Sequence, residues 1–104
     1  MIRTSWGPWI NRIADGEPVL LTFRNTPSAA LLPPDVWEQA CTKLGTPPTV
    51  VELGSSPARR ELATRRDAAR STGEHTLIRD GNSRKPMAVL TPVDWARTAL
   101  GTAD

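Results

Sequence analysis

Apolar and polar positions divide the chain into short segments, and the same kinds of segment come round twice. Trp9, Ile10 and Ile13 fall at helical spacing, which predicts a short helix over residues 8–14. Asp15-Gly16-Glu17-Pro18 stops it. Val19–Phe23 is a compact apolar run and predicts a strand. Arg24-Asn25-Thr26-Pro27 predicts a turn and Ser28–Leu32 a second strand, giving a hairpin. Pro33-Pro34-Asp35 opens a helix to about Leu44, since proline suits a first turn whose N–H groups have no partner. Gly45 fits the C-terminal cap.

Thr46-Pro47-Pro48 reads as a linker. Beyond it Thr49–Leu53 predicts a strand, and Ser55 or Ser56 is expected to cap a helix from Pro57 to Arg70. Ser71-Thr72-Gly73 ends that helix. His75–Arg79 and Pro86–Leu90 predict a second hairpin across Asp80-Gly81-Asn82-Ser83. Thr91-Pro92-Val93-Asp94 resembles a capping box and opens a last helix that ends at Leu100-Gly101.

The chain also repeats in its letters. Gly16–Leu21 returns 57 residues later as Gly73–Ile78. Past the turns, Ala30–Trp37 aligns with Ala88–Trp95 at an offset of 58, as if the second turn held one extra residue. Trp37 and Trp95 then occupy equivalent positions, and Cys41 falls opposite Ala99. A repeat this long is one supersecondary unit used twice, not a solenoid period. Two such units in one chain can imitate a symmetric dimer, and symmetric dimers often read symmetric partners. The expected organisation is residues 1–45 as a reduced first half, 46–48 as a linker and 49–104 as a complete second half, packed as one unit. No stretch equivalent to Thr49–Leu53 fits before Trp6.

At 104 residues the chain is one small domain or two halves sharing a core, and a chain this size has little stability in reserve. No apolar run approaches the length of a membrane span, and the N-terminus lacks the apolar stretch of a secretory signal. Cys41 is the one cysteine, so no intrachain disulfide forms, and a cytoplasmic location is expected.

Charge changes the picture more. The net charge is +2, but nine basic and seven acidic residues lie in 46–104, and five arginines lie between Arg59 and Arg70. At 100° per residue, Ala58, Leu62 and Ala69 form an apolar stripe on the predicted helix. Arg59, Arg66 and Arg70 form a guanidinium stripe roughly 80° around from it. Arg60 falls farther round and Arg65 borders the apolar stripe. Guanidinium groups make bidentate contacts to phosphate or to a guanine edge, and free N–H groups near Ser55 and Ser56 favour an anion. The same pattern also suits a solvated helix face, with Glu61 and Asp67 pairing to neighbouring arginines.

These residues carry a resemblance. Thr49-Val50-Val51-Glu52-Leu53-Gly54-Ser55-Ser56-Pro57-Ala58-Arg59-Arg60-Glu61-Leu62 resembles the opening of Phd/YefM-type antitoxins, a strand followed by a Ser-x-Ala-Arg-like helix start with a leucine one turn on. Gly73–Gly81 resembles the family's hairpin, and Lys85-Pro86-Met87-Ala88-Val89-Leu90-Thr91-Pro92 its "Lys-Pro-Val-Ala-Val-Leu-x-Pro" signature. The resemblance covers residues 49–100; residues 16–44 match only the hairpin–helix part. It implies an α/β (α+β) fold of two hairpin–helix repeats sharing a small antiparallel sheet as an intrachain pseudo-dimer. It also implies an autorepressor that binds operator DNA, with a cognate toxin and a homodimer as further partners. Carried over, Ser55, Ser56, Arg59, Arg60, Arg66 and Arg70 would face DNA. One chain would supply one reading element, so operator binding would call for two chains. Only three residues follow Gly101, so a toxin would meet a surface other than a long tail.

The alternative is a protein-interaction module that binds a toxin or other partner without DNA. Trp6 and Trp9 are its candidate contacts, because neither has a partner in the repeat. Trp37 and Trp95 are expected to be buried between hairpin and helix, and Cys41 to be a small buried side chain. His75 is the one histidine, so no metal site or cofactor is expected. Neither a nucleophile elbow nor a phosphate-binding glycine loop is present, and no enzymatic activity is expected.

Overall fold

The computed structural model describes residues 6–23 and 26–101. The elements run α1 (Trp6–Ala14), β1 (Val19–Phe23), β2 (Thr26–Leu32), α2 (Pro34–Leu44), β3 (Val50–Gly54), α3 (Ser55–Arg60), α4 (Leu62–Thr72), β4 (His75–Arg79), β5 (Pro86–Pro92) and α5 (Val93–Ala99). All five strands join one sheet in the order β1-β2-β5-β4-β3. The expected antiparallel sheet is in fact mixed: β3 pairs β4 in parallel, while β1·β2, β2·β5 and β4·β5 are antiparallel. Two helices separate β3 from β4, and such a crossover returns the chain in the same direction.

Alternation along the central strands builds two cores. Ala29 and Leu31 of β2 and Ala88 and Leu90 of β5 join Ile13, Val19, Leu21, Ala58, Ala69 and Ile78 on the face covered by α1, α3 and α4. Ala30 and Leu32 point the other way, against Ala96, Trp37, Trp95 and Leu100 from α2 and α5. With both faces covered, the middle of β2 and β5 is apolar throughout instead of alternating.

The strand pairing does not follow the register read from the letters. Leu31 pairs with Leu90, Ala30 with Thr91 and Leu32 with Val89. A two-fold axis through the Leu31–Leu90 pair carries the second of these pairs onto the third. Every pair of an antiparallel ladder carries such an axis, so this pairing is compatible with odd offsets such as 59 and not with 58. The helices agree: α2 follows Pro33 (φ −58, ψ 142) and α5 follows Pro92 (φ −59, ψ 144). β1 and β4 keep the offset of 57, with bulges after Leu21 and Ile78. The second turn therefore holds two extra residues. At 59, Trp37 would align with Ala96 and Trp95 with Val36. A slip of one residue would put every side chain on the wrong face, which is why the pairing decides the register.

Both tryptophans nevertheless reach one residue. The Trp37 indole Nε1 donates to Nδ1 of His75 at 3.0 Å, and Trp95 meets the same ring edge to face at 4.6 Å between centroids. His75 is fully buried at the start of β4, and burial pushes its pKa down to about 4.

Local expectations shift in four further places. The helix expected from Pro57 to Arg70 is two helices, broken at Glu61 (φ −99, ψ 15). Neither Ser55 nor Ser56 is the cap: extended Gly54 precedes the helix, and both serines lie in its first turn. Thr91 forms no capping box, because it is buried within β5 and its hydroxyl turns to the Pro92 carbonyl. Cys41 is half-buried, and Ala40 beside it takes the buried position; burial and Glu38 both push the Cys41 thiol pKa up.

Candidate nucleic-acid interface

The arginine-rich segment begins where β3 ends. Gly54 is still extended, and Ser55-Ser56-Pro57 starts the helix with proline in the first turn, where it forfeits no hydrogen bond. Ala58 is the buried contact of α3, which leaves Arg59 and Arg60 exposed. Ala69 anchors α4 on the same core, with Leu62 half-buried against it. Ala58, Leu62 and Ala69 all meet the core as expected, but from two helices and not along one continuous stripe.

The guanidinium stripe does not form as one line. Arg59 and Arg60 lie on α3 and Arg66 and Arg70 on α4, and the break at Glu61 changes the phase between them. Arg70 is exposed in the last turn of α4, but the Arg66 side chain is only 13% exposed and lies 3.7 Å from the Asp67 carboxylate. Arg65 is held against the protein by Glu74, with Glu61 at 3.9 Å. The outward group is therefore Ser56, Arg59, Arg60 and Arg70, with Ser55 half-buried beside them.

The loop between β4 and β5 adds to this surface. Asp80 organises it: its carboxylate accepts from the backbone N–H groups of Asn82 (2.8 Å) and Ser83 (2.9 Å), and these bonds lower its pKa. Arg84 takes a left-handed backbone (φ 62), and its carbonyl accepts from Arg79 Nη1 at 3.0 Å. Arg79 Nε meanwhile donates to Glu52 of β3 at 2.7 Å. Gly81 brings the loop against α3, since a Cβ there would stand 3.7 Å from Ser55 Oγ. A small cavity of about 130 Å³ lies at this junction, lined by Glu52, Gly54, Arg79, Asp80, Gly81 and Arg84.

Arg84 and Lys85 are thus part of the same region, and both are exposed. Sequence reasoning missed them because 29 residues separate Ser55 from Arg84. The available signal was the turn Asp80-Gly81-Asn82-Ser83, which marks a loop but not its neighbour.

The alternative contacts fare differently. Trp9 is half-buried and packs on the core cluster around Ile13. Trp6 begins α1, and its side chain lies outside the described residues. Among the described residues, no three His, Cys, Asp or Glu side chains are grouped to hold a metal ion. No described helix is long and apolar enough to cross a membrane.

No family model, curated protein or solved structure significantly matches this chain.

Proposed function

We propose that this protein is a DNA-binding, antitoxin-like transcriptional regulator of the Phd/YefM type that acts on its own promoter. The observation that carries the reading is the gathering of exposed cations at one end of the sheet. Arg59 and Arg60 follow Ser55 on α3, and the loop of Arg84 and Lys85 comes against Ser55. Exposed guanidinium groups gathered on one side suit a phosphate backbone, where each contact releases counterions. The pairing two-fold at Leu31–Leu90 supports reading the two hairpin–helix halves as an intrachain pseudo-dimer. In this reading α3 supplies the base or backbone contacts, and a cognate toxin remains a candidate partner.

The test is binding of the purified protein to its own upstream DNA at two salt concentrations, against a scrambled duplex. The expected result is tight, salt-sensitive binding that prefers its own promoter. The salt slope then counts the phosphate contacts. Equal weak binding to both duplexes would make the arginines a solvated face and favour the protein-interaction alternative. An operator affinity unchanged by Arg59→Ala plus Arg60→Ala would also sink the proposal.

A further inference from the structure

A trough of about 640 Å³ opens where β2 leaves the sheet and β5 enters it, between the end of α1, the start of α2 and the β4–β5 loop. Its buried and half-buried lining is apolar: Ile13 of α1, Pro33 before α2 and Met87 of β5. The exposed lining is charged, with Asp35 and Glu38 on α2 and Lys85 on the loop. An apolar base with a few polar groups at its rim, in this range of volume, is the usual make-up of a binding site. Asp80 lines the trough too, but its carboxylate is taken up by the N–H groups of Asn82 and Ser83.

The charge at the rim has a counterpart within the same chain. Asp35 lies in the first turn of α2, where a carboxylate meets free N–H groups, so the helix itself accounts for it. Glu38, one turn on, has no such reason. α2 and α5 both follow a proline of the same backbone geometry, Pro33 and Pro92. Counted from each proline, Asp35 matches Asp94 and Glu38 matches Arg97. In α5 those two side chains form an ion pair at 3.9 Å. In α2 two carboxylates stand at the same spacing, which weakens a helix slightly. Among the described residues neither has an ion-pair partner, and Lys85 pairs with neither.

We propose that this trough docks a cationic, apolar peptide segment of a partner protein. An aliphatic side chain of the partner settles on Ile13, Pro33 and Met87, and a neighbouring arginine or lysine meets Asp35 and Glu38. Charge complementarity selects the occupant. Two unpaired carboxylates repel a phosphate or an acidic segment and attract a guanidinium, whose fork of N–H groups matches a carboxylate. The trough is also open to solvent, so a stretch of chain can lie in it without threading a closed cavity. Neither carboxylate belongs to the proposed DNA surface, and the inference stands apart from that reading.

The test uses the full chain without DNA. NMR spectra follow the methyl groups of Ile13 and Met87 as a hexapeptide of alternating leucine and arginine is added, and then its leucine–glutamate counterpart. The arginine peptide should shift both methyl signals saturably, and the glutamate peptide should not. Asp35→Asn plus Glu38→Gln should weaken the arginine peptide at least about fivefold in association constant. Glu38→Arg gives α2 the same Asp–Arg spacing as α5 and should abolish the shifts while raising the melting temperature slightly, so loss of binding is not loss of fold. Methyl signals that ignore the arginine peptide, or that respond alike to both peptides, overturn the inference. So do equal shifts from spermidine alone, which would make this a small-amine site. Signals that move with protein concentration alone would seat a second copy in the trough and overturn it as well. Since no readout involves DNA, loss of the operator proposal would leave a positive result standing.

Discussion

Trp37 of α2 donates its indole N–H to Nδ1 of His75 in β4 at 3.0 Å, and this bond ties a helix of the first half to a strand of the second. Accepting at Nδ1 requires a neutral imidazole with its proton on Nε2. Trp95 closes the other side of the ring, so α2 and α5 both meet the sheet at one buried polar residue. The position equivalent to His75 in the first half is Pro18, which offers no such acceptor.

Stability should fall in mild acid because of this residue. The native pKa is lowered to about 4 from an ordinary 6.5, so below 6.5 the unfolded chain takes up a proton that the folded chain refuses. The stabilisation is present above pH 6.5 and is lost as pH falls from about 6.5 to about 4. The loss should reach at most about 3 kcal/mol, at roughly 1.4 kcal/mol per unit. Urea denaturation at pH 7.5, 5.5 and 4.5 checks the slope. A His75→Gln variant should flatten it over this range, leaving only what the carboxylates contribute.

Trp37→Phe keeps most of the apolar contact and removes the donor. Leaving His75 Nδ1 buried without a partner should cost about 1–3 kcal/mol. The same variant should raise the His75 pKa only if water enters the site, which histidine NMR titration would show.

Leu31 and Leu90 meet at the centre of the sheet, both fully buried. Leu31→Ala and Leu90→Ala should each cost about 2–5 kcal/mol. The double variant should depart from the sum of the two, since cross-strand neighbours share one cavity. Leu20→Ala, on the exposed side of β1, should stay within about 0.5 kcal/mol. Chemical denaturation of the three single variants tests the contrast.

Gly73 ends α4 in the left-handed region at φ 73; its N–H donates to the Ala69 carbonyl and the Glu74 N–H to that of Ala68. Gly73→Ala should destabilise by about 1 kcal/mol. Gly7, in the first turn of α1, has open space where a Cβ would stand, with nothing within 4 Å, so Gly7→Ala should be neutral or stabilise by up to about 1 kcal/mol. Thermal melts of the two variants should move in opposite directions or differ clearly in size.

The arginines should separate by readout. Arg65→Ala removes the partner of Glu74 and should lower the melting temperature without changing operator affinity. Arg59→Ala and Arg60→Ala should do the reverse, weakening DNA binding and reducing its salt slope by about one for each phosphate no longer neutralised. Equal behaviour of Arg65 and Arg59 in both assays would remove the basis for assigning the exposed group to DNA.

Much of the fold was legible in local pattern. The apolar runs placed all five strands to within a few residues, because short apolar segments between turn-formers have few other options. The spacing of Ala58, Leu62 and Ala69 identified the buried side of the arginine segment, and Gly16, Gly45, Gly73 and Gly101 all take the positive φ that ends a helix. These features depend on neighbours in the chain, and the amino-acid sequence by itself determined them.

What the sequence left open depends on partners far along the chain. β2 and β5 pair with Leu31 opposite Leu90 because backbone pairing and face alternation must agree, and similar letters one residue out of step carry no such constraint. The break at Glu61 lets α3 pack on β3 and β4 while α4 reaches β5 and β2, and it moves Arg66 out of line with Arg59. The parallel pairing of β3 with β4 brings the Asp80–Lys85 loop to Ser55. Each was decided only in the tertiary structure, because burial and strand pairing are satisfied between segments and not within them.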